Sequence, residues 1–209
     1  MKIAIIGAGN VGTGLAKHLV PMGHEVMFSF GKDMGKLQAT ARAWGAQAGS
    51  VAEAVQFADV VVLATPYAAL AEALGQAGAP TQAKVLWDCT NALRPDMSGL
   101  MVGTTWSAAE EVQKLAPWAR VVKGIPPFAE VLHSGELRLK GGSIGVFACS
   151  DDAPAKATVS ALLQGIGVAV TDAGPLVNAR YAEPAAFLLV QLAYGQGHGS
   201  RIGLALISD

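Results

Sequence analysis

An apolar run and a glycine pattern meet in Ile3-Ala4-Ile5-Ile6-Gly7-Ala8-Gly9-Asn10-Val11-Gly12. Beyond it, Val11, Leu15, Leu19 and Val20 recur at the spacing of one helical face. The pattern GxGxxG indicates a dinucleotide site when it follows an apolar strand, forms a turn too tight for side chains and begins a helix. The stretch therefore predicts the first strand–turn–helix unit of a dinucleotide-binding fold.

Each of the pattern's glycines has a predicted task in that unit. Gly7 permits the turn, Gly9 lets the backbone approach a pyrophosphate, and Gly12 lets the helix pack closely on the strand. The helix N-terminus adds free N–H groups and a partial positive charge for the phosphates. A glycine-rich turn without a ligand is the alternative that this stretch leaves open.

The composition narrows the class of protein. Of the 209 residues, 52% are hydrophobic and 15% are charged, which excludes a disordered chain and allows a buried core. The net charge of −1 predicts no nucleic-acid partner, and no apolar stretch approaches the ~20 residues of a membrane span.

Cys89 and Cys149 lie outside any metal-ligand spacing, so we predict two free thiols and no metal. Met1-Lys2-Ile3 leaves no room for a signal peptide, and we predict a cytoplasmic location.

The end of the second predicted strand, His24 to Ser29, indicates which dinucleotide binds. A protein that prefers NAD usually has an acidic residue about 20 residues beyond the glycine turn, where it accepts hydrogen bonds from the ribose 2′-hydroxyl. This chain instead has Ser29-Phe30-Gly31-Lys32, followed by Lys36. A hydroxyl and ammonium groups suit a 2′-phosphate, which a carboxylate would repel, so the sequence predicts NADP(H). The alternative is that both lysines are ordinary solvated residues at a helix start.

Two further strand ends are predicted to reach the same edge of the sheet. The run from Asp59 to Ala64 is continuously apolar, as in a central parallel strand, and Thr65-Pro66 follows as a helix cap with proline at the first helical position. Another strand, Lys84 to Asp88, leads to Asn91. We expect residues 64–66 to line the path of the cofactor and Asn91 to contact its nicotinamide half. Helix capping alone and turn formation alone are the respective alternatives.

Strands and helices alternate through the first 125 residues. With a sixth strand at Ala119 to Lys123, this order predicts an α/β fold with a Rossmann-type doubly wound parallel sheet. A small C-terminal α/β extension follows, with strands at Ser143 to Ala148 and Gly167 to Thr171. It ends in an apolar helix, Asn178 to Ala193, that packs on the domain or on a second subunit. We predict an NADP-binding Rossmann domain at residues 1–125 and a C-terminal part at residues 126–209.

The sequence predicts no catalytic group of side chains. His133 and His198 are the candidates for a proton donor, with solvated loop residues as the alternative. Tyr181 and Glu183 begin the last helix and could face a cleft, although such residues are more often structural. Hydride transfer from a nicotinamide to a flavin-like ring needs two stacked rings at close distance rather than a nucleophile or a metal.

Several segments together resemble the family of coenzyme F420-dependent NADP oxidoreductases. The pieces IAIIGAGNVGTGLA, GHEV and VVVLATPY occur in many dinucleotide-binding proteins. Their combination with DAGPL at Asp172 to Leu176 and with the glycine-rich GQGHGSRIG is more specific. The resemblance implies hydride exchange between NADP(H) and an 8-hydroxy-5-deazaflavin. It also implies a homodimer whose C-terminal part closes a cleft over the nicotinamide.

The resemblance also implies which residues bind the cofactor. The glycine turn would hold the pyrophosphate, the end of the second strand the adenosine 2′-phosphate, and the later strand ends the nicotinamide half. The predicted cofactor-binding residues are Gly7, Gly9, Asn10, Val11, Gly12, Ser29, Phe30, Gly31, Lys32, Lys36, Ala64, Thr65, Pro66 and Asn91. One departure concerns the acceptor. Relatives continue after the sixth strand with Ala-Phe-Asn-Thr or similar, whereas this chain has Gly124-Ile125-Pro126-Pro127, and proline offers no N–H to an acceptor.

These features favour an NADPH-dependent oxidoreductase that passes hydride to a flavin or to a deazaflavin such as F420. Its partner would then be a small-molecule redox acceptor. An NADPH-dependent reductase of a small carbonyl or imine substrate is the first alternative, and it requires a proton donor in the cleft. A non-catalytic sensor that binds NADP(H) without turnover is the second.

Overall fold

Six strands form one parallel sheet in the computed structural model, which describes residues 1–207. In chain order the strands are β1 (Lys2–Ile6), β2 (Glu25–Ser29), β3 (Gln47–Ala48), β4 (Val60–Leu63), β5 (Lys84–Asp88) and β6 (Ala119–Lys123). Their spatial order is β3-β2-β1-β4-β5-β6, which confirms the predicted Rossmann-type doubly wound sheet. The strand order reverses between β1 and β4, and open sheets of this kind bind ligands at that point.

Helices connect the strands and cover both faces of the sheet. They are α1 (Asn10–Leu19), α2 (Met34–Ala43), α3 (Val51–Phe57), α4 (Leu70–Gly75) and α5 (Ala108–Leu115). Successive side chains of β1 enter different cores: Ile3 and Ile5 belong to one cluster, and Ala4 and Ile6 to the other. This burial on both faces explains why the central strands are continuously apolar.

Side chains cap the N-termini of several helices. Ser50 and Ser107 form capping boxes at α3 and α5, and Asp33 caps α2. The prediction that Thr65 caps the helix after β4 is wrong. A 3₁₀ turn at Tyr67–Ala69 precedes α4, and its N-terminus has no side-chain cap, so the Thr65 hydroxyl has no helix to cap.

The C-terminal part forms the predicted small α/β extension and ends in a helix. Its elements are α6 (Ala129–Ser134), β7 (Arg138–Leu139), β8 (Gly142–Ser143), β9 (Gly145–Ala148), α7 (Ala153–Gly165), β10 (Ala169–Asp172) and α8 (Ala179–Val190). The predicted strand 143–148 is divided, because β8 pairs with β7 in a hairpin and β9 pairs in parallel with β10. After α8 the chain continues as a π-helical turn, Gln191–Gly195. Residues 208–209 of this predicted part lie outside the described residues.

Helix α8 is joined to the Rossmann domain by polar contacts. The Arg180 guanidinium donates to both carboxylate oxygens of Glu110 in α5, over 2.9 and 2.6 Å. This hydrogen bonding lowers the pKa of the Glu110 carboxyl. In residues 1–207, no helix has the length and apolar character that crossing a membrane requires.

Candidate functional site

The glycine turn after β1 is built so closely that two of its glycines admit no side chain. Gly7 has φ +110°, and a Cβ there would lie 2.6 Å from the Ala64 carbonyl oxygen. A Cβ on Gly12 would lie 2.0 Å from the Gly7 oxygen. A Cβ on Gly9, in contrast, would meet no atom within 4 Å. Gly7 and Gly12 therefore shape the turn, whereas Gly9 leaves open space at the surface.

Helix α1 begins at this open space with free donors. Its N-cap residue is Gly9, no side chain caps its first turn, and that turn contains no acidic residue. The N-termini of α2, α3, α5 and α7, by comparison, are capped by Asp or Ser side chains. Unoccupied N–H groups at the positive end of a helix dipole suit a phosphate group.

One cleft of about 510 Å³ runs along the carboxyl edge of the sheet and is also lined by residues of the C-terminal part. Seven of the predicted cofactor residues line it, namely Gly9, Asn10, Val11, Ala64, Thr65, Pro66 and Asn91. The volume lies in the range of small-molecule and cofactor sites. The structure therefore brings together the glycine turn and the ends of β4 and β5, as the sequence predicts.

Buried polar atoms without partners mark the same edge. Among the described residues, the buried side-chain atoms that lack a hydrogen-bond partner are Ser29 Oγ, Thr65 Oγ1 and Asn91 Oδ1. They follow or end β2, β4 and β5, the strands whose carboxyl ends surround the switch point. Because an unpaired buried polar atom costs about 1–3 kcal/mol, such atoms call for a partner that the chain does not supply. A polar ligand in the cleft would supply one to Thr65 and Asn91.

The side chains at the end of β2, which the sequence predicts to bind the 2′-phosphate, do not line the cleft. Ser29 is fully buried, and its hydroxyl has no hydrogen-bond partner. Phe30 adopts a left-handed conformation, φ 62°, which is uncommon for a bulky residue. Lys32 and Lys36 are exposed at the start of α2, and none of these side chains lines the cleft. The nearby carboxylate of Asp33 is engaged by the backbone N–H of Lys36 at 3.0 Å.

The far half of the cleft is mostly apolar. Pro126 and Pro127 line it with the ring of Phe128, which packs edge-on against Tyr194 at a centroid distance of 5.6 Å. The Tyr194 hydroxyl donates to Glu130 Oε1 over 2.9 Å. Burial, followed by this hydrogen bond, raises the pKa of Tyr194 to about 12, so the phenol is neutral at physiological pH. Glu130 is the charged side chain among the described residues that line the cleft.

The predicted candidates for proton transfer lie elsewhere. The His133 ring lies tilted against that of Trp44, and its Nε2 is 3.0 Å from the Asn10 carbonyl oxygen. His198 and Tyr181 are exposed, and Glu183 is 2% exposed beside Lys123. None of these side chains lines the cleft. Tyr194 and Glu130 do line the cleft, and the sequence analysis predicted neither. They lie 64 positions apart, on a π-helical turn and on α6, and no local pattern indicates that they meet.

Comparisons with known proteins find oxidoreductases with a similar sequence or fold. A family model described as NADP oxidoreductase, coenzyme F420-dependent, matches residues 2–92. A crystal structure from Arthrobacter sp. FB24, provisionally described as an F420-dependent NADP reductase, is 30% identical over 99% of this chain and 100% of that chain, with a TM-score of 0.84. A Sinorhizobium meliloti protein is 26% identical over 100% and 96% of the two chains, with a TM-score of 0.75. The fold is shared by a reductive aminase from Aspergillus terreus, whose structure contains NADPH and ethyl-5-oxohexanoate. The two chains are 17% identical, the match covers 95% of this chain and 63% of that chain, and the TM-score is 0.70.

Proposed function

We propose that this chain, which belongs to the family of coenzyme F420-dependent NADP oxidoreductases, transfers hydride between NADPH and a flavin or 5-deazaflavin. The observation that carries the proposal is the composition of the cleft. It is lined on one side by the uncapped start of α1 and the unpartnered polar atoms of Thr65 and Asn91, and on the other side by apolar residues. One half of this cleft suits a phosphorylated, hydrogen-bonding nucleotide, and the other half suits a flat apolar ring.

The nucleotide would lie along the carboxyl edge of the sheet. Backbone N–H groups around Gly9, Asn10 and Val11 would bind the pyrophosphate, and the lysines at the start of α2 would attract the 2′-phosphate. Thr65 and Asn91 would give hydrogen bonds to the nicotinamide half. When bound, the nicotinamide supplies the hydride. The protein's task is to hold the two rings together and to exclude water.

The acceptor would bind between the nicotinamide and the C-terminal part. Pro126, Pro127 and Phe128 offer flat apolar surfaces and few hydrogen-bond donors. This favours an acceptor that is recognised by its ring rather than by polar groups on it. We accordingly propose that residues 1–125 form the nucleotide-binding domain and that residues 126–209 supply the acceptor side of the cleft.

Binding of the 2′-phosphate is tested by comparing NADPH with NADH. We expect NADPH to bind about 10- to 100-fold more tightly, because charge-assisted hydrogen bonds contribute about 1.5–3 kcal/mol. Lys32→Gln should reduce this preference, whereas Lys114→Gln, an exposed lysine on α5, should leave it unchanged. The measurement is a fluorescence titration of each nucleotide. Equal affinity for both nucleotides in the native protein would contradict the assignment to NADP(H).

The acceptor class is tested by following the loss of NADPH absorbance with riboflavin, a 5-deazaflavin, ketones and cyclic imines. We expect turnover with the flavin-type rings. Steady turnover with any acceptor also rules out a non-catalytic sensor, whereas no oxidation with either ring would contradict the proposal.

A reductase of small carbonyl or imine substrates is the second candidate, and the Tyr194–Glu130 pair favours it. General acid catalysis is worth about 10²–10⁴-fold. If this candidate is correct, Tyr194→Phe should lower the reduction of a cyclic imine or ketone by at least about 100-fold. Absence of imine and ketone reduction in the native protein would reject it.

A homodimer and a cytoplasmic location stay predictions. Leu188 is 56% exposed on α8, and an apolar side chain of this size in water is consistent with a second subunit covering the helix. Sedimentation equilibrium should therefore give twice the chain mass, and Leu188→Lys should shift the protein toward the monomer.

A further inference from the structure

A buried group of three charged side chains is hydrogen-bonded to Thr90, which lines the cleft together with Asn91. Asp88 ends β5, Lys123 ends β6, and Glu183 projects from α8. Lys123 Nζ is 2.7 Å from Asp88 Oδ2 and 3.0 Å from Glu183 Oε1. The side chains of Lys123 and Asp88 are fully buried, and that of Glu183 is 2% exposed. We call these residues the buried triad.

The hydrogen bonds of the buried triad are complete. The third Lys123 donor bonds to the Thr90 carbonyl oxygen at 2.6 Å. Asp88 Oδ1 accepts from both the backbone N–H and the hydroxyl of Thr90, at 2.9 and 2.7 Å. The Glu183 carboxylate accepts from the N–H groups of Ala108 and Ala109 at the start of α5. No group of the triad is thus left for proton transfer, which indicates a structural or positioning task.

The triad holds all three polar groups of Thr90: its N–H, its hydroxyl and its carbonyl. Asn91 follows and is tied to the same helix, because its Nδ2 lies 3.4 Å from the Glu183 carbonyl oxygen. The remaining Asn91 atom, Oδ1, has no partner and belongs to a residue that lines the cleft. The network therefore fixes the residue that presents an unused hydrogen-bond acceptor to the site.

Stability alone gives a poor account of this arrangement. Buried ion pairs are often no more stabilising than apolar side chains of the same volume, because removing charges from water is costly. The position of the triad is more informative. It is hydrogen-bonded to Thr90, which lines the cleft with Asn91, and Ala182 and Ala186, which lie near Glu183 on α8, line the cleft as well.

We propose that the buried triad, together with Thr90, positions Asn91 to accept a hydrogen bond from the carboxamide N–H of a bound nicotinamide, and that it couples this turn to the cleft wall on α8. Lys123, Asp88, Glu183 and Thr90 are then positioning residues, and Asn91 is the residue that touches the cofactor. This inference rests on the proposed function, because it takes the nicotinamide end of NADP(H) as the ligand.

The test compares NADP⁺ with 2′,5′-ADP, which carries the adenosine half and the 2′-phosphate but no nicotinamide. Thr90→Val removes one hydrogen bond of the network with little change in volume, and Thr90→Ser retains the hydroxyl. We expect Thr90→Val to weaken NADP⁺ binding by up to about tenfold, because a displaced Asn91 loses its hydrogen bond to the carboxamide, and a neutral hydrogen bond is worth about 0.5–1.5 kcal/mol. Its affinity for 2′,5′-ADP should stay within about twofold, and Thr90→Ser should bind NADP⁺ as the native protein does. Isothermal titration of both ligands gives these values without turnover.

A network that only stabilises the fold predicts a different result. Thr90→Val would then lower the melting temperature but leave both affinities unchanged, and this outcome would overturn the positioning role. Equal weakening of both ligands would overturn it as well, since the effect would not be confined to the nicotinamide end. Failure of the native protein to bind either ligand would instead refute the proposed function. If Thr90→Val does not fold, Glu183→Gln should show the same selective loss for NADP⁺.

Discussion

Replacing Lys123 with methionine should destabilise the folded protein by about 3–5 kcal/mol, the largest stability effect that we expect from a single charged residue. Methionine occupies similar space, so the core stays filled. The change leaves two carboxylates, Asp88 and Glu183, buried without their cation. Urea unfolding followed by circular dichroism measures this loss.

Lys156→Met is the matched control. Lys156 also pairs with a carboxylate, but that partner, Asp172, is 67% exposed, and exposed ion pairs contribute at most about 1 kcal/mol. The two substitutions delete the same ammonium group in two environments. If both cost the same, the burial of the Lys123 pair contributes nothing, and the expectation for Lys123→Met is wrong.

The pH dependence of stability gives an independent test of the Lys123 charge. Burial alone lowers the pKa of Lys123, but attraction to the Asp88 and Glu183 carboxylates outweighs it and holds the pKa above its ordinary value. Such a group contributes stability that is complete below its unfolded pKa, about 10.4, and is lost as pH rises through the folded pKa. The advantage of the native protein over Lys123→Met should therefore persist from neutral pH to about pH 10 and decline only above it.

Local sequence signals predicted the part of the site that depends on neighbours in the chain. The glycine turn and the strand ends at Thr65 and Asn91 each need only a few consecutive residues. A parallel sheet then brings its carboxyl ends to one edge, so the half of the cleft that these strand ends line follows from the order of elements.

Features that depend on distant residues were not predictable in this way. Lys123 resembles any lysine at a strand end, and its partner Glu183 lies 60 positions later on a helix whose docking the sequence does not show. The cap predicted at Thr65 failed because a 3₁₀ turn delays the start of α4. Ser29 lies at the predicted place, the end of β2, but its side chain is fully buried, which the local sequence does not show.

Gly9→Ala should nearly abolish nucleotide binding while leaving the fold intact. A Cβ at this position meets nothing within 4 Å, and its φ of −81° is accessible to any residue, so we expect a loss of stability below about 1 kcal/mol. The same Cβ would stand in the space that the pyrophosphate must enter. If the phosphates are displaced from two backbone N–H groups, the lost hydrogen bonds of about 1.5 kcal/mol each weaken NADPH binding by at least about 100-fold.

Two other glycines separate this effect from general damage. Gly75→Ala on α4 also meets no neighbouring atom and lies outside the cleft, so it should leave NADPH affinity unchanged and slightly raise stability. Gly12→Ala brings a Cβ within 2.0 Å of the Gly7 oxygen and should destabilise the fold itself. Calorimetric unfolding and NADPH titration of the three variants distinguish a loss of nucleotide binding from a loss of stability. Normal NADPH affinity in Gly9→Ala would mean that no phosphate approaches the start of α1, and the assignment of the cleft to a dinucleotide would have to be abandoned.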